Sequence, residues 1–177
     1  MADAKEEAGL AAIRAFVAID DALATSGQPT REQFGALRAA GFDAVVNLAV
    51  ATSDGALPDE PELAGGHGME HAHVPVDFEA PTDADVEAFF AVMERWRGRR
   101  VLVHCALNMR ASAFVYLWRV RRRGESPAVA AHALHRVWRP EGVWAALLAR
   151  WTPSSMPEGL GAALAGKASL QESPGPS

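Results

Sequence analysis

The stretch that most limits what this chain can become is Val101-Leu-Val-His-Cys-Ala-Leu-Asn-Met-Arg-Ala-Ser112. Its apolar run, Val101 to Val103, suits a buried strand that ends in His104-Cys105. Ala106 to Met109 is a short break, and Arg110 leads into a helix with an apolar face of Ala113, Phe114, Leu117 and Val120. Strand, tight loop and helix N-terminus in succession aim backbone N–H groups and the positive end of a helix dipole into the loop. The chain's single cysteine sits there, and such a field favours an anion, a thiolate included. The pattern is that of a nucleophile in an oxyanion cradle closed by Arg110.

Composition narrows the rest. A chain of 177 residues, 49% hydrophobic and 22% charged, is long enough for one soluble domain with a real core. A net charge of −5 argues against nucleic acid or an anionic membrane as partner. One cysteine forms no internal disulfide, which fits a reducing compartment. Met1 to Leu10 is acidic and does not read as a signal peptide, and no apolar run approaches membrane-spanning length. The expectation is a cytoplasmic protein.

Along the chain, residues 1–14 are rich in Ala and Glu and predict a frayed helix or a disordered arm. Phe16 to Ile19 and Ala22 to Thr25 predict two short strands around Asp20-Asp21, and Ser26-Gly27-Gln28-Pro29 a turn. Thr30 with Gln33 three residues on predicts a helix start, with Phe34 and Leu37 inside and Gly41 at its end. Ala44 to Ala49 predicts a buried strand. Thr52 to Gly68 has no period and is expected to be a loop. Met69 to Val76 predicts a strand, and Phe78 to Pro81 a loop. Thr82 caps a helix carrying Asp83 and Asp85 in its first turn, with Val86, Phe89, Phe90, Met93 and Trp96 at helical spacing. After the cysteine stretch, helices are expected over Ala111 to Arg123, Ser126 to Trp138 and Gly142 to Trp151. Residues 153–177 are expected to be a disordered tail. Alternating strands and helices make residues 15–152 one α/β domain.

His104-Cys105, followed after four residues by Arg110 and then by Ser112, resembles the signature of the cysteine-dependent protein tyrosine and dual-specificity phosphatases. In that signature five residues separate the Cys from the Arg, so the loop here is one short. Read without a gap, Ser112 falls on the family's hydroxyl position and Asn108 on its first glycine. Ala111 then falls on its arginine, with Arg110 one step early. Asn suits the glycine position because it tolerates the left-handed conformation. Small bacterial phosphatase-like domains, found alone or fused to metallo-β-lactamase-like hydrolases, are closer still. Their His-Cys-x-x-Asn-x-Arg-x-Ser pattern, Ser-Gly-Gln-Pro turn and Val-x-Asn-Leu strand are similar to His104 to Ser112, Ser26 to Pro29 and Val45 to Leu48. The resemblance runs from about Phe16 to Trp138. It implies a central, mostly parallel sheet flanked by helices, like a dual-specificity phosphatase.

The resemblance also implies roles. Cys105 is the expected nucleophile, against the plainer reading of an inert buried cysteine. Arg110 is expected to hold the oxyanion with its planar fork; an arginine merely solvated at a helix start would sit badly with the dipole. Ala106, Leu107, Asn108, Met109 and Ala111 would line the bound group. Ser112 is either a donor to the leaving thiolate or a plain N-cap. Asp77 holds the place of the general acid, with Glu79 and Asp83 in reserve, or is a solvated loop carboxylate. His104 is expected to orient the loop through its ring. His67, His71 and His73 lack the partners that complete a metal site, and no cofactor or metal is expected. Arg119, Arg121, Arg122 and Arg123 read as a solvated helix end, and the five Trp residues mostly as core.

Three functions stay open. The first is a phosphatase that hydrolyses a phosphomonoester, on a small molecule or a protein, through a phosphocysteine. The second is a sulfurtransferase, because the short loop also resembles that of rhodaneses. The third is a phosphate-binding module without turnover.

Overall fold

The structure, a computed structural model, describes residues 2–154; the expected tail beyond Ser154 lies outside the described residues. In chain order the elements are α1 (Ala2–Ala11), β1 (Val17–Asp20), β2 (Leu23–Ser26), α2 (Gln33–Ala39), β3 (Ala44–Asn47) and α3 (Glu60–Gly66). They continue with β4 (Glu70–His73), α4 (Asp83–Arg95), β5 (Val101–His104), α5 (Met109–Arg121), α6 (Pro127–His135) and α7 (Gly142–Trp151). Five strands make one sheet in the order β1-β2-β5-β3-β4. Only the β1–β2 pair is antiparallel; β5 runs parallel to both neighbours. This is the α/β domain that the alternation predicts, with the mostly parallel sheet that the resemblance implies.

Successive residues of a strand face opposite sides, and the central strands use both. Ala44, Val46, Val101 and Val103 point into a core shared with α4, α5, α6 and α7. Val45 and Leu102 point the other way, against Phe34 and Leu37 of α2, Ala64 of α3 and the N-terminal Leu10 and Ile13. A strand buried on both faces has to be apolar throughout, which is why β3 and β5 read as continuous runs. The same alternation sends the last residue of β5, His104, toward the α3 side.

Local signals explain several boundaries. Thr82 and Asp85 form a reciprocal capping box at the start of α4. Ser126 caps α6 and Pro127 opens it. Gly41, with φ +87, ends the α2 segment in a conformation that a side chain would strain.

Other expectations need correcting. Thr52 to Gly68 is not all loop, because Glu60–Gly66 is helical. Its Pro, two glycines and seven-residue length hide any period, and burial of Glu60 and Ala64 fixes it instead. The helix expected from Thr30 begins at Gln33, whose side chain reaches back to the Thr30 N–H at 2.9 Å. Met69 to Val76 pairs as a strand only over Glu70–His73. Residues 1–14 contain α1, and Leu10 and Ile13 are buried. Among the described residues no helix is long and apolar enough to cross a membrane.

Candidate active site

The parallel strands β2, β5 and β3 end side by side, and the His104-to-Arg110 loop crosses their carboxyl edge. Open α/β sheets bind ligands there. Cys105 is buried directly after β5, its N–H donating to Ser26 O at 3.3 Å. Asn108 caps α5 in the left-handed conformation, φ 68 and ψ 1. Its Nδ2 donates to Ala15 O at 2.8 Å and Thr25 Oγ at 3.0 Å, which ties the loop to the two flanking segments. The left-handed turn closes the loop in so few residues, and the side-chain bonds offset its cost. Among the described residues the N–H groups of Ala106, Leu107, Met109 and Arg110 donate to no backbone carbonyl. Leu107 is 51% exposed and stands at the rim.

The Ser26–Pro29 turn is the floor of this loop. Gly27 bridges to Leu107, and Gln28 N donates to Ala106 O at 3.0 Å. A Cβ on Gly27 would lie 2.6 Å from Ala106 O, so only glycine lets the two backbones approach this closely.

Arg110 is buried at the first turn of α5. One guanidinium nitrogen, Nη1, donates to Val76 O at 2.9 Å, and Nη2 to Ser53 Oγ at 3.3 Å. The arginine therefore sits against the segment that carries Asp77. Asp77 is exposed, with Oδ1 accepting the Glu79 N–H at 2.9 Å. Phe78 binds this segment down: its ring centroid is 5.9 Å from Trp138 and 5.6 Å from Trp144. Trp144 Nε1 donates to Phe78 O at 2.8 Å, and Trp138 Nε1 to Met109 O at 3.1 Å. Three aromatic rings thus join the Asp77 segment to the Cys105 loop.

Ser112 lies one turn into α5 rather than at its cap, and its Oγ donates to Met109 O at 3.1 Å. Asn108 holds the cap position instead. Ala111 is fully buried beneath the loop.

A residue that sequence reading missed stands under His104. Glu60, only 1% exposed, opens α3. Its Oε1 lies 2.6 Å from His104 Nε2 and 3.0 Å from His71 Nε2, and its Oε2 accepts from Gln28 Nε2 at 2.9 Å. Burial by itself would raise its pKa. The hydrogen bonds from His104, His71 and Gln28 outweigh that and hold the carboxyl well below the ordinary carboxylate range. Nothing in Thr52 to Gly68 singles out Glu60 among its acidic neighbours; the only usable signal was two histidines without an assigned partner.

Of the other histidines, His73 Nε2 lies 2.6 Å from Ala49 O, and His67 ends α3. Asp83 accepts from Arg150 and from Trp151 Nε1, so it ties α4 to α7 and lies with them rather than with Asp77's partners. Arg119 is not solvated: it is buried, and two of its nitrogens bond Glu125 Oε2 at 3.0 and 2.6 Å. Arg123 pairs with Asp20, and Arg122 lies over the Phe90 ring.

A sheet of this order with a cysteine–arginine loop on its central strand defines a cysteine-dependent phosphatase fold of the dual-specificity type. The chain belongs, more narrowly, to the family described as a DSP-PTPase phosphatase fused to NAD+ kinase, whose model matches residues 17–152. A protein of Shewanella putrefaciens CN-32, provisionally named a phosphatase, is 39% identical, with 81% of this chain and 95% of that one covered and a TM-score of 0.74. The phosphatase Tk-PTP in its active form is 26% identical, with 77% and 93% covered and a TM-score of 0.63. A beta-lactamase hydrolase-like protein of Agrobacterium fabrum is 35% identical over 101 residues. That match covers 54% of this chain and 22% of the relative.

Proposed function

We propose that this domain hydrolyses phosphomonoesters through a phosphocysteine at Cys105. The observation that carries the reading is Arg110: despite the short spacing it is buried at the loop and bonded to the Val76 carbonyl, next to Asp77. That contact supports a reading in which Cys105 is the nucleophile, Arg110 the oxyanion holder and Asp77 the acid. In the first step the Cys105 thiolate attacks phosphorus, the ester P–O bond breaks, and Asp77 gives its proton to the leaving oxygen. The loop N–H groups and Arg110 hold the three equatorial oxygens meanwhile. In the second step Asp77 takes a proton from water, whose oxygen attacks phosphorus. The P–S bond breaks, and phosphate and thiolate are released. His104, Ala106, Leu107, Asn108, Met109, Ala111 and Ser112 shape and support the pocket. The substrate is a phosphorylated small molecule or protein.

The short loop keeps sulfur transfer as a second reading, because a persulfide needs a smaller ring of donors. Aryl-phosphate hydrolysis and thiosulfate-to-cyanide transfer, run on one preparation, separate the two. Phosphate hydrolysis is expected, lost in Cys105→Ser and slowed roughly 10²- to 10⁴-fold in Asp77→Asn, the usual worth of a general acid. Sulfur transfer that depends on Cys105 and ignores Asp77 would replace this reading. Silence in both, with phosphate still bound, would leave a binding module.

A further inference from the structure

The reaction outlined above gives Glu60 no task, yet few side chains cost more to bury. A carboxylate is retained inside a protein only when its partners compensate fully. Its partners here are the residues that hold the Cys105 loop. His104 Nδ1 lies 3.2 Å from Cys105 O, while His104 Nε2 lies 2.6 Å from Glu60 Oε1. A carbonyl and a carboxylate both only accept, so the two contacts are both hydrogen bonds when each ring nitrogen donates. The Cys105–Ala106 peptide is trans, and in a trans peptide C=O and N–H point opposite ways. A ring that pins Cys105 O inward therefore turns the Ala106 N–H outward, and that N–H donates to no backbone carbonyl among the described residues.

The next peptide is set in the same way. Gln28 N holds Ala106 O at 3.0 Å, so the Leu107 N–H faces away from Gln28. Gln28 is itself bound to Glu60 through Nε2 at 2.9 Å.

We propose that Glu60 is a positioning residue for oxyanion binding. By keeping the His104 ring a double donor and anchoring Gln28, it fixes the two peptide planes whose N–H groups meet the phosphoryl oxygens. The proposal rests on the phosphatase reading for what the loop binds, but not for how the loop is held. His71, from β4, is the third donor and completes the carboxylate's shell.

The test uses the full chain and the variant Glu60→Gln. An amide of the same shape offers one accepting oxygen and brings an N–H₂ toward donors. Ring ¹⁵N–¹H spectra of the wild-type protein at pH 7 are expected to show both His104 nitrogens protonated, and only one in the variant. Inorganic phosphate, titrated in the Cys105→Ser background, is expected to bind about 10-fold more weakly once Glu60→Gln is added, as when a partner supporting a ligand-binding group is lost. For aryl phosphate, kcat is expected to fall about 10²-fold with KM changing far less, since the misaimed donors matter most in the transition state. A single-proton His104 ring in the wild type would overturn the proposal, whether or not the variant folds. So would unchanged phosphate affinity in a folded variant. Absent turnover combined with the expected spectra and weakened phosphate binding would sink the phosphatase reading and leave Glu60's role standing.

Discussion

Gly27 shows how little room single residues have at this site. With the Ala106 carbonyl 2.6 Å from where its Cβ would stand, Gly27→Ala must push the turn off the loop. The expected cost is about 1–3 kcal/mol of stability, as for an overpacked site, with a fall in turnover because the loop moves. Urea unfolding together with the phosphatase assay checks both; a variant with wild-type stability would mean that the contact gives way freely. Asn108→Ala loses the bonds to Ala15 O and Thr25 Oγ and keeps a strained left-handed backbone. About 1–2 kcal/mol follows from the conformation alone. Asn108→Gly relieves that strain, so it should be the more stable of the two by thermal melting. At this scale the sequence was informative where a residue type carries its own reason. The left-handed Asn108 was legible, and so was the turn that holds Gly27, though not its close approach to Ala106 O. Glu60 was not, because a buried carboxylate looks like any surface acid until its partners are placed around it.

Among elements, the strand–loop–helix unit β5–α5 could be read directly, since continuous apolarity, a break and helical spacing are all local. So could α4, whose capping box is written in four consecutive residues. The helix α3 could not: Pro61, Gly65 and Gly66 give it weak propensity, and tertiary burial decides it. Nor could the tryptophans be resolved beyond core. Trp144 is buried and Trp138 half-buried, yet each gives its indole N–H to a carbonyl that frames the site. Trp144→Phe keeps the ring stacking and removes the donor to Phe78 O. It should cost about 1–2 kcal/mol for the stranded carbonyl, and lower kcat more than it changes KM if the Asp77 segment loosens. An unchanged kcat with lowered stability would show that the aromatic strut is structural only.

For the whole molecule, the buried network links stability to pH. Glu60's folded pKa lies below its ordinary value of 4.5, so the stability it contributes is complete above that value and is lost as pH falls below it. Wild type is therefore expected to exceed Glu60→Gln in stability at pH 7 by a margin that shrinks toward pH 3, measured as urea midpoints. A constant margin would mean that Glu60 titrates in the folded protein as it does in the unfolded chain. The N-terminal segment is also part of the fold: Ile13, two residues past α1, is 2% exposed, and Ile13→Ala should cost about 2–4 kcal/mol as a core truncation. A negligible loss would mean that this segment is detached in solution.

What the sequence determined by itself was whatever short-range chemistry can encode. That covers the α/β alternation, the cysteine–arginine loop at the end of an apolar strand, the capped helices and the family resemblance those motifs carry. The tertiary structure alone decided which distant groups meet. Residues 11 to 57 positions apart in the chain have no local signature of contact, yet the parallel sheet sets β2, β3 and β5 edge to edge. In that way Arg110 reaches Val76 and Ser53, and Glu60 reaches His104, His71 and Gln28. Gln28 N holds Ala106 O from farther still along the chain, and a peptide plane turns to whatever holds its carbonyl.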